Sequence, residues 1–271
     1  IRANGEYILK ILITGGAGFI GSHIAESLIA AGHEIIIYDN FSTGIMENIE
    51  EINSKNIELI NGDILDLKKL IKAMDGVDIV SHHAAQLEIF VGIDEPEKDL
   101  SINTVGTLNV LESAKQNNVK KVINASSACI YGQTNQATGE DDPTEPNWAY
   151  GVSKLAAEKY ANIYSKYKKL PVTNLRYGIV YGEREWFRRV LPIFIKKVIN
   201  KQSPVVFGEG KQIRDFIYVT DLVDFHNKCL FNDKANGETF NVGSGLPITI
   251  VELAKTACML ADEDVKVFHE D

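Results

Sequence analysis

Short apolar runs and longer amphipathic segments alternate along the whole chain. Lys10-Ile11-Leu12-Ile13-Thr14 and Glu34-Ile35-Ile36-Ile37-Tyr38 are continuous apolar runs, the pattern of strands buried on both faces. Further strands are predicted at 57–60, 77–82, 121–125, 172–176, 205–207 and 216–219. Helices are predicted at 18–32, 66–74, 99–117, 149–168, 190–200, 221–230 and 249–260. This alternation predicts an α/β chain with a doubly wound, mostly parallel sheet covered on both faces. The polar stretch 134–148, with Pro143, Pro146 and several acids, reads as a long surface loop of the kind that carries lids and binding elements.

The first run leads into Gly15-Gly16-Ala17-Gly18-Phe19-Ile20-Gly21, a turn followed by a helix that begins near Phe19. Glycine lets the backbone approach a bound group, and the N–H groups of a helix start suit a pyrophosphate. The second run ends in Asp39, 24 residues after Gly15, where an acid can accept bonds from an adenosine ribose. That acid would repel a 2′-phosphate, so NAD is expected rather than NADP. The plainer alternative is a tight turn that needs glycine for steric reasons, with Asp39 incidental.

The 271 residues can bury one large core, or a main domain with a smaller second one. A net charge of −9 argues against nucleic acid or an anionic membrane as the main partner. Cys129, Cys229 and Cys258 lie far apart without a CxxC pair. They read as free thiols of a reducing, cytoplasmic compartment, with no disulfide framework and no metal site. No apolar run approaches the ~18–20 residues of a membrane span, and the first one is a strand rather than a signal peptide. Composition does not shift after about residue 177, so a second domain rests on function, and a single domain is the alternative.

Tyr150 and Lys154 stand four apart near a helix start, on one face. An ammonium beside a phenol favours the phenolate, and such a tyrosine can exchange a proton with a hydroxyl while hydride moves to a nicotinamide. Tyr164 and Lys168 share the spacing, but Lys168 belongs to a basic run, so Tyr164 reads as a packing or surface residue. Ser126 and Ser127 end a predicted strand at the edge where open α/β sheets bind ligands, and a serine hydroxyl there can bond the same substrate oxygen.

The segments GGAGFIG (15–21), YDNFSTG (38–44), GDILD (62–66), HHAAQ (82–86), SSACIYG (126–132), YGVSK (150–154), LRYGIVYG (175–182) and VVFGEGKQIRDFIYVTD (205–221) run in one order over nearly the whole chain. Together they resemble the extended short-chain dehydrogenase/reductase superfamily, in its nucleotide-sugar epimerase and dehydratase branch. The resemblance implies a Rossmann domain over 1–177, with parts of 214–245, and a substrate lobe over 178–271 that is incomplete at its C-terminal end. It implies that Gly15, Gly18, Phe19, Ile20 and Gly21 hold the pyrophosphate, and that Asp39 and Asn40, with Ser42, Thr43 and Gly44, meet the adenosine side. Asp63 and Ile64 would border the adenine, Ala84, Ala85 and Ser126 would line the cofactor, and Asn103 would support the site. Lys154 would hold the nicotinamide ribose, with Tyr177 near the nicotinamide. Tyr150, Lys154 and Ser127 are the implied catalytic residues. Helices 99–117 and 149–168 resemble those through which relatives form homodimers, the alternative being a solvent-facing pair.

Members of that branch that eliminate water carry an Asp-Glu pair after the hydroxyl residue of this strand, whereas Ala128 and Cys129 follow Ser127 here. Decarboxylating members carry a glutamate where Cys129 stands. What remains is reversible oxidation at C4, a 4-epimerisation through a transient 4-keto sugar, with a UDP-hexose the expected substrate. For substrate binding, Arg214 resembles the diphosphate-clamping arginine, or forms a strand-edge salt bridge with Asp215 or Asp221. Phe207 resembles the residue packed on the base. Ile179 replaces an asparagine common in such epimerases. Arg188 and Arg189 beside Trp186 either contact substrate, with a uronic acid then indicated, or face solvent. His82 and His83 read as packing or cofactor-wall residues. The rival readings are a UDP-uronate 4-epimerase, C2 epimerisation, net reduction at C4, and a silent NAD-binding sensor or scaffold.

Overall fold

The apolar runs become strands. In the computed structural model, which describes residues 7–50, 52, 55–134, 136–261 and 265–270, they are β1 (Lys10–Thr14), β2 (Glu34–Asp39), β3 (Ile57–Asn61), β4 (Ile79–His82), β5 (Lys121–Ser127) and β6 (Val172–Tyr177). The later ones are β7 (Ile179–Tyr181), β8 (Val205–Phe207), β9 (Ile213–Tyr218), β10 (Thr239–Val242), β11 (Pro247–Thr249) and β12 (Phe268–Glu270). Two compact units divide the chain: one runs to Tyr177 and resumes at Val223–Val242, the other comprises Gly178–Leu222 and the residues from Gly243.

The first unit holds a seven-stranded sheet in the order β10-β6-β5-β4-β1-β2-β3, and every pairing in it is parallel. Strands in such a sheet are covered on both faces, which is why Ile11, Leu12, Ile13, Ile35, Ile36 and Ile37 are all buried. Chain order reverses direction at β1, between β4 and β2. The carboxyl ends of β1 and β4 therefore form a topological switch point, the usual ligand crevice of an open α/β sheet.

Helix Ala149–Lys168 matches its sequence pattern, but the segment 99–117 does not form one helix. It divides into Pro96–Leu100, a π-helical turn Ser101–Val105, and Gly106–Gln116. The widened turn carries Asn103 and Thr104 onto Ser153: Asn103 Nδ2 donates to its hydroxyl at 3.0 Å and Thr104 Oγ1 to its carbonyl at 3.0 Å. The strand expected at 216–219 starts earlier, at Ile213, and Val219 instead opens helix Val219–Leu230. Helices Glu47–Glu50 and Ile89–Asp94 and strands β7, β10, β11 and β12 were not predicted.

The second unit has a three-stranded sheet in the order β11-β9-β7 and a parallel β8–β12 pair. Its core gathers Phe194, Val206, Leu253 and Ala254. Asp215 ties the chain after β10 to β9, accepting from Ser244 N at 2.8 Å and Gly245 N at 2.9 Å.

Beneath the carboxyl ends of β5 and β6 lies a buried ion pair. Arg176 Nη2 donates to Glu158 Oε1 at 2.7 Å and Arg176 Nε to Oε2 at 3.0 Å, while Ser126 Oγ donates to Oε2 at 2.7 Å. Arg176 Nη1 reaches the Glu140 carbonyl at 2.8 Å, which anchors the polar loop to the sheet. Removing one partner strands a buried charge, so Glu158→Leu is expected to cost about 3–5 kcal/mol in urea unfolding. Adding Arg176→Met to that variant should recover part of the loss, because the guanidinium is no longer stranded, although Lys154 still lacks its Glu158 neighbour.

Candidate active site

At the end of β1 the backbone turns at Gly15 with φ +69°, and a Cβ there would lie 2.7 Å from Ala84 N. Only glycine fits both the left-handed conformation and that approach. Thr14 holds the two loops together. Its Oγ1 accepts from His83 N and Ala84 N, each at 3.2 Å, and lies 2.7 Å from His82 Nδ1. Gly21 brings helix Phe19–Ala30 onto the turn, since a Cβ would lie 2.2 Å from Gly15 O. Gly18 caps this helix without a side-chain bond, and its first turn has no acid. The first backbone N–H groups, at Phe19, Ile20 and Gly21, are thus suited to an anion.

Asp39 ends β2 buried, with Oδ2 accepting from Ala17 N at 3.0 Å and Oδ1 from Phe41 N at 2.8 Å. Burial raises its pKa against these bonds. A carboxylate has about four lone-pair sites, so acceptor capacity remains for ribose hydroxyls. Gly44 folds over it: a Cβ there would sit 2.9 Å from Asp39 Oδ2, while Ser42 and Thr43 are exposed. Asn40 Nδ2 donates to Asp63 Oδ2 at 2.9 Å, and Tyr38 OH to Asp63 O at 2.9 Å. The ends of β2 and β3 are thereby joined, with Ile64 buried behind them. Ala84 and Ala85 are partly exposed after β4. Asn103 supports that loop, its Oδ1 accepting from Gln86 N at 2.9 Å. An uncapped helix start, an acid closing β2 and small residues at the switch point fit a dinucleotide.

Tyr150 lies in the first turn of Ala149–Lys168, a helix with no side-chain cap, where the dipole favours a phenolate. A Cβ on Gly151 would come 2.6 Å from Cys129 O, so the helix start rests against the turn Ala128–Tyr131 that follows Ser127. Lys154 is buried one helical turn on and donates from Nζ to Ala125 O. Desolvation lowers its pKa to about 8, while Glu158 and Asp99 act to raise it. Tyr164 is different: its hydroxyl donates to Glu112 Oε2 at 2.9 Å, and burial with that carboxylate pushes its pKa up to about 12. The two serines point apart. Ser126, expected to line the cofactor, gives its hydroxyl proton to Glu158. Ser127 Oγ accepts from Cys129 N at 3.1 Å within the turn.

Three histidines surround the end of β4. Thr107 Oγ1 donates to Asn103 O at 2.6 Å, so it accepts from His82 Nε2 at 2.9 Å. The Thr14 hydroxyl accordingly donates to His82 Nδ1. Burial lowers the pKa of His82 to about 3 and of His226 to about 4, and holds His83 well below the ordinary range. His226, Glu158 and Arg176 were not among the sequence candidates. A single histidine in a helix and an ion pair 18 residues apart carry no local signal.

The other candidates lie in the second unit. Arg188 stacks over Trp186 at 5.5 Å and Phe187 at 5.7 Å, and Arg189 precedes helix Val190–Ile199 with its guanidinium 6.0 Å from Trp186. Phe207 is exposed at the end of β8. Arg214 is exposed on β9, donating from Nη1 to Ile213 O at 2.7 Å. Among the described residues no group of acids, histidines and cysteines could hold a metal, and no helix is long and apolar enough to cross a membrane.

The profile of the NAD dependent epimerase/dehydratase family matches residues 11–243. The chain belongs to that family. Among its relatives is a Methanocaldococcus jannaschii protein provisionally named a UDP-glucose 4-epimerase, 40% identical over 250 residues, or 90% of this chain and 79% of that one. A UDP-N-acetyl-alpha-D-glucosaminuronate decarboxylase of Bacillus cytotoxicus is 35% identical over 96% of this chain and 83% of its own. A UDP-N-acetylglucosamine 4-epimerase of Methanobrevibacter ruminantium, solved with UDP-N-acetylmuramic acid, superposes with a TM-score of 0.92 at 33% identity, covering 98% of this chain and 86% of that one. The family resemblance and the Rossmann-type parallel sheet expected from the sequence are therefore borne out, and NAD is the cofactor.

Gly15→Ala should place a methyl group against the Ala84 backbone and cost about 1–3 kcal/mol of strain. NAD titration by fluorescence should show affinity reduced at least tenfold, by roughly 1.4 kcal/mol or more. The neutral histidines also set an acid limit. Their folded-state values lie below the ordinary 6.5, so the unfolded chain binds more protons once pH falls beneath 6.5. Stability present above pH 6.5 is then lost towards pH 4, at up to about 1.4 kcal/mol per pH unit for each histidine. Urea midpoints measured across that window should fall as pH falls, and His226→Phe should make the slope shallower.

Proposed function

We propose that this chain is an NAD-dependent nucleotide-sugar 4-epimerase acting on a UDP-sugar. The observation that carries this reading is the helix start at Tyr150 resting on the turn after Ser127, a turn whose next residues are Ala128 and the exposed Cys129. The pair Tyr150 and Lys154 suits proton exchange at a sugar hydroxyl, and the turn offers no carboxyl group for eliminating water or assisting decarboxylation. NAD, when bound, supplies a reversible hydride acceptor. Tyr150 takes the proton of the 4-hydroxyl and returns it to the 4-keto oxygen. Lys154 stabilises the phenolate and is itself oriented by Ala125 O. Ser127 holds the reacting oxygen through its hydroxyl. Arg214 and Phe207 are the proposed diphosphate and base contacts.

A second reading is a UDP-uronate 4-epimerase. Arg188 and Arg189, clustered on Trp186, supply cations for a sugar carboxylate. The names of two relatives also contain an acidic sugar, one in a decarboxylase and one as a bound UDP-N-acetylmuramic acid.

Proton NMR of the protein with UDP-galactose, and separately UDP-glucuronate, without added NAD, is expected to show the anomeric signal of the C4 epimer. Faster conversion of the uronate would select the second reading. Conversion of neither by protein shown to hold NAD would remove simple C4 epimerisation of these sugars. Tyr150→Phe should lower kcat by about 10²–10⁴-fold with NAD still bound; full turnover would remove Tyr150 from proton transfer.

A further inference from the structure

A chain of hydrogen bonds runs from Tyr177 into the protein, and its direction follows from the orientation of the Asn227 amide at the far end. Asn227 Nδ2 donates to Ser27 Oγ at 2.9 Å, which leaves Asn227 Oδ1 facing His226 Nδ1 at 3.0 Å. A carbonyl oxygen only accepts, so His226 carries its proton on Nδ1 and presents a lone pair at Nε2. Ser81 Oγ, 2.8 Å away, donates to that lone pair and must itself accept from His83 Nδ1 at 3.2 Å. With its proton at Nδ1, His83 accepts at Nε2 from Tyr177 OH at 3.0 Å. The His83 and Tyr177 rings lie nearly parallel, with centroids 5.8 Å apart and 22° between planes.

The position of this chain ties it to the site. Strand side chains alternate between faces. Ser126 and Arg176 share Glu158 on one face of the sheet, so Ser127 and its register partner Tyr177 turn to the other. Ser81 and His83 share that opposite face with His226, and His83 adjoins Ala84, whose backbone touches Gly15. The His83–Tyr177 bond therefore spans the carboxyl ends of β4 and β6, across β5, between the cofactor turn and Ser127.

We propose that His83 is a positioning residue, which together with Ser81 and His226 fixes the Tyr177 ring beside Ser127 and commits its hydroxyl proton to the protein interior. Tyr177 then offers the site a ring and an oxygen lone pair but no proton. Tyr150 is left as the one tyrosine that exchanges a proton with the reacting oxygen, and this part of the inference rests on the proposed function.

The tautomers can be read without turnover. Nitrogen-15 NMR of the full chain with NAD bound should show His83 and His226 neutral with the proton on Nδ1, and His82 with it on Nε2. A proton on His83 Nε2, or a charged His83 at neutral pH, would overturn the proposal even if the epimerase reading holds. Kinetics test the coupling. His83→Leu should lower kcat roughly tenfold, as expected when a site group shifts by a fraction of an ångström, with KM for the nucleotide sugar changed less than about twofold. His83→Gln, which can accept from Tyr177 and donate to Ser81, should restore most of kcat. In a Tyr177→Phe background, His83→Leu should add little. Additive losses, or a lowered Tm with unchanged kcat, would make His83 merely structural. Failure of the wild type to convert any nucleotide sugar would instead count against the proposed function, and the tautomer result would still decide whether the clamp exists.

Discussion

Everything at this sheet edge depends on one close approach, the backbone of Gly15 against that of His83 and Ala84. The contact exists because β1 and β4 are paired parallel neighbours, so the turns at their carboxyl ends lie side by side, and Gly15 has no side chain to hold them apart. The Thr14 hydroxyl satisfies both amides of the facing loop and gives its own proton to His82. That single group fixes the separation of the loops and the tautomer of a buried ring. With the turn so placed, Gly21 seats the first helix on it, and the helix start, which has no capping side-chain bond, presents N–H groups suited to an anion.

The same edge shows how a buried lysine can be kept useful. Lys154 is buried with two acidic neighbours, Glu158 and Asp99. Glu158 is held by Arg176 through two bonds, so it moderates Lys154 without forming a closed pair with it. His82 and His83 are neutral, and each would add a repelling charge beside the ammonium if protonated. Protonating either ring would make the lysine's own charge less favourable at the same time as it destabilised the core. The histidine layer thus links the acid tolerance of the fold to the electrostatics of the site.

Much of this was legible in the sequence because strong local patterns happened to coincide with tertiary roles. The isoleucine runs of β1 and β2 can only be doubly covered strands, and Asp39 after such a strand announces its position. The helix at Tyr150 starts and stops where its periodicity says. What escaped was short or depended on distant partners. β10 has four residues, and its pairing with β6 decides that they form a strand. The break inside 99–117 did not show in the apolar periodicity, although Ser101–Val105 (Ser-Ile-Asn-Thr-Val) is made of weak helix formers; the widened turn answers to Ser153, some fifty residues on. The adjacent serines were given different roles, but the partner of Ser126 was not foreseen: strand alternation sends its hydroxyl to Glu158 and leaves Ser127 at the turn. His83 was legible only as a wall residue, since its partners Tyr177 and His226 lie on other elements.

On the proposed reading, the hardest step is the return of hydride to the opposite face of the keto sugar, and it constrains where affinity can be placed. The sugar ring must turn over while the nucleotide end stays bound. Binding energy therefore belongs on the diphosphate, where a guanidinium gives strong directional bonds that do not change as the ring turns. Exposed Arg214 meets that requirement on chemical grounds. Bonds to the sugar hydroxyls would resist rotation if they were many. Ile179, half-buried on β7, contributes none from its side chain. The same logic places a value on a Tyr177 that offers no proton. A second acidic hydroxyl beside Ser127 would hold the keto oxygen in one orientation, whereas a ring face and a lone pair leave Tyr150 to define the reactive contact in both. A site built for epimerisation needs one firm proton donor and otherwise permissive walls, and the neutral hydrogen-bonded layer under Ser127 supplies such a wall.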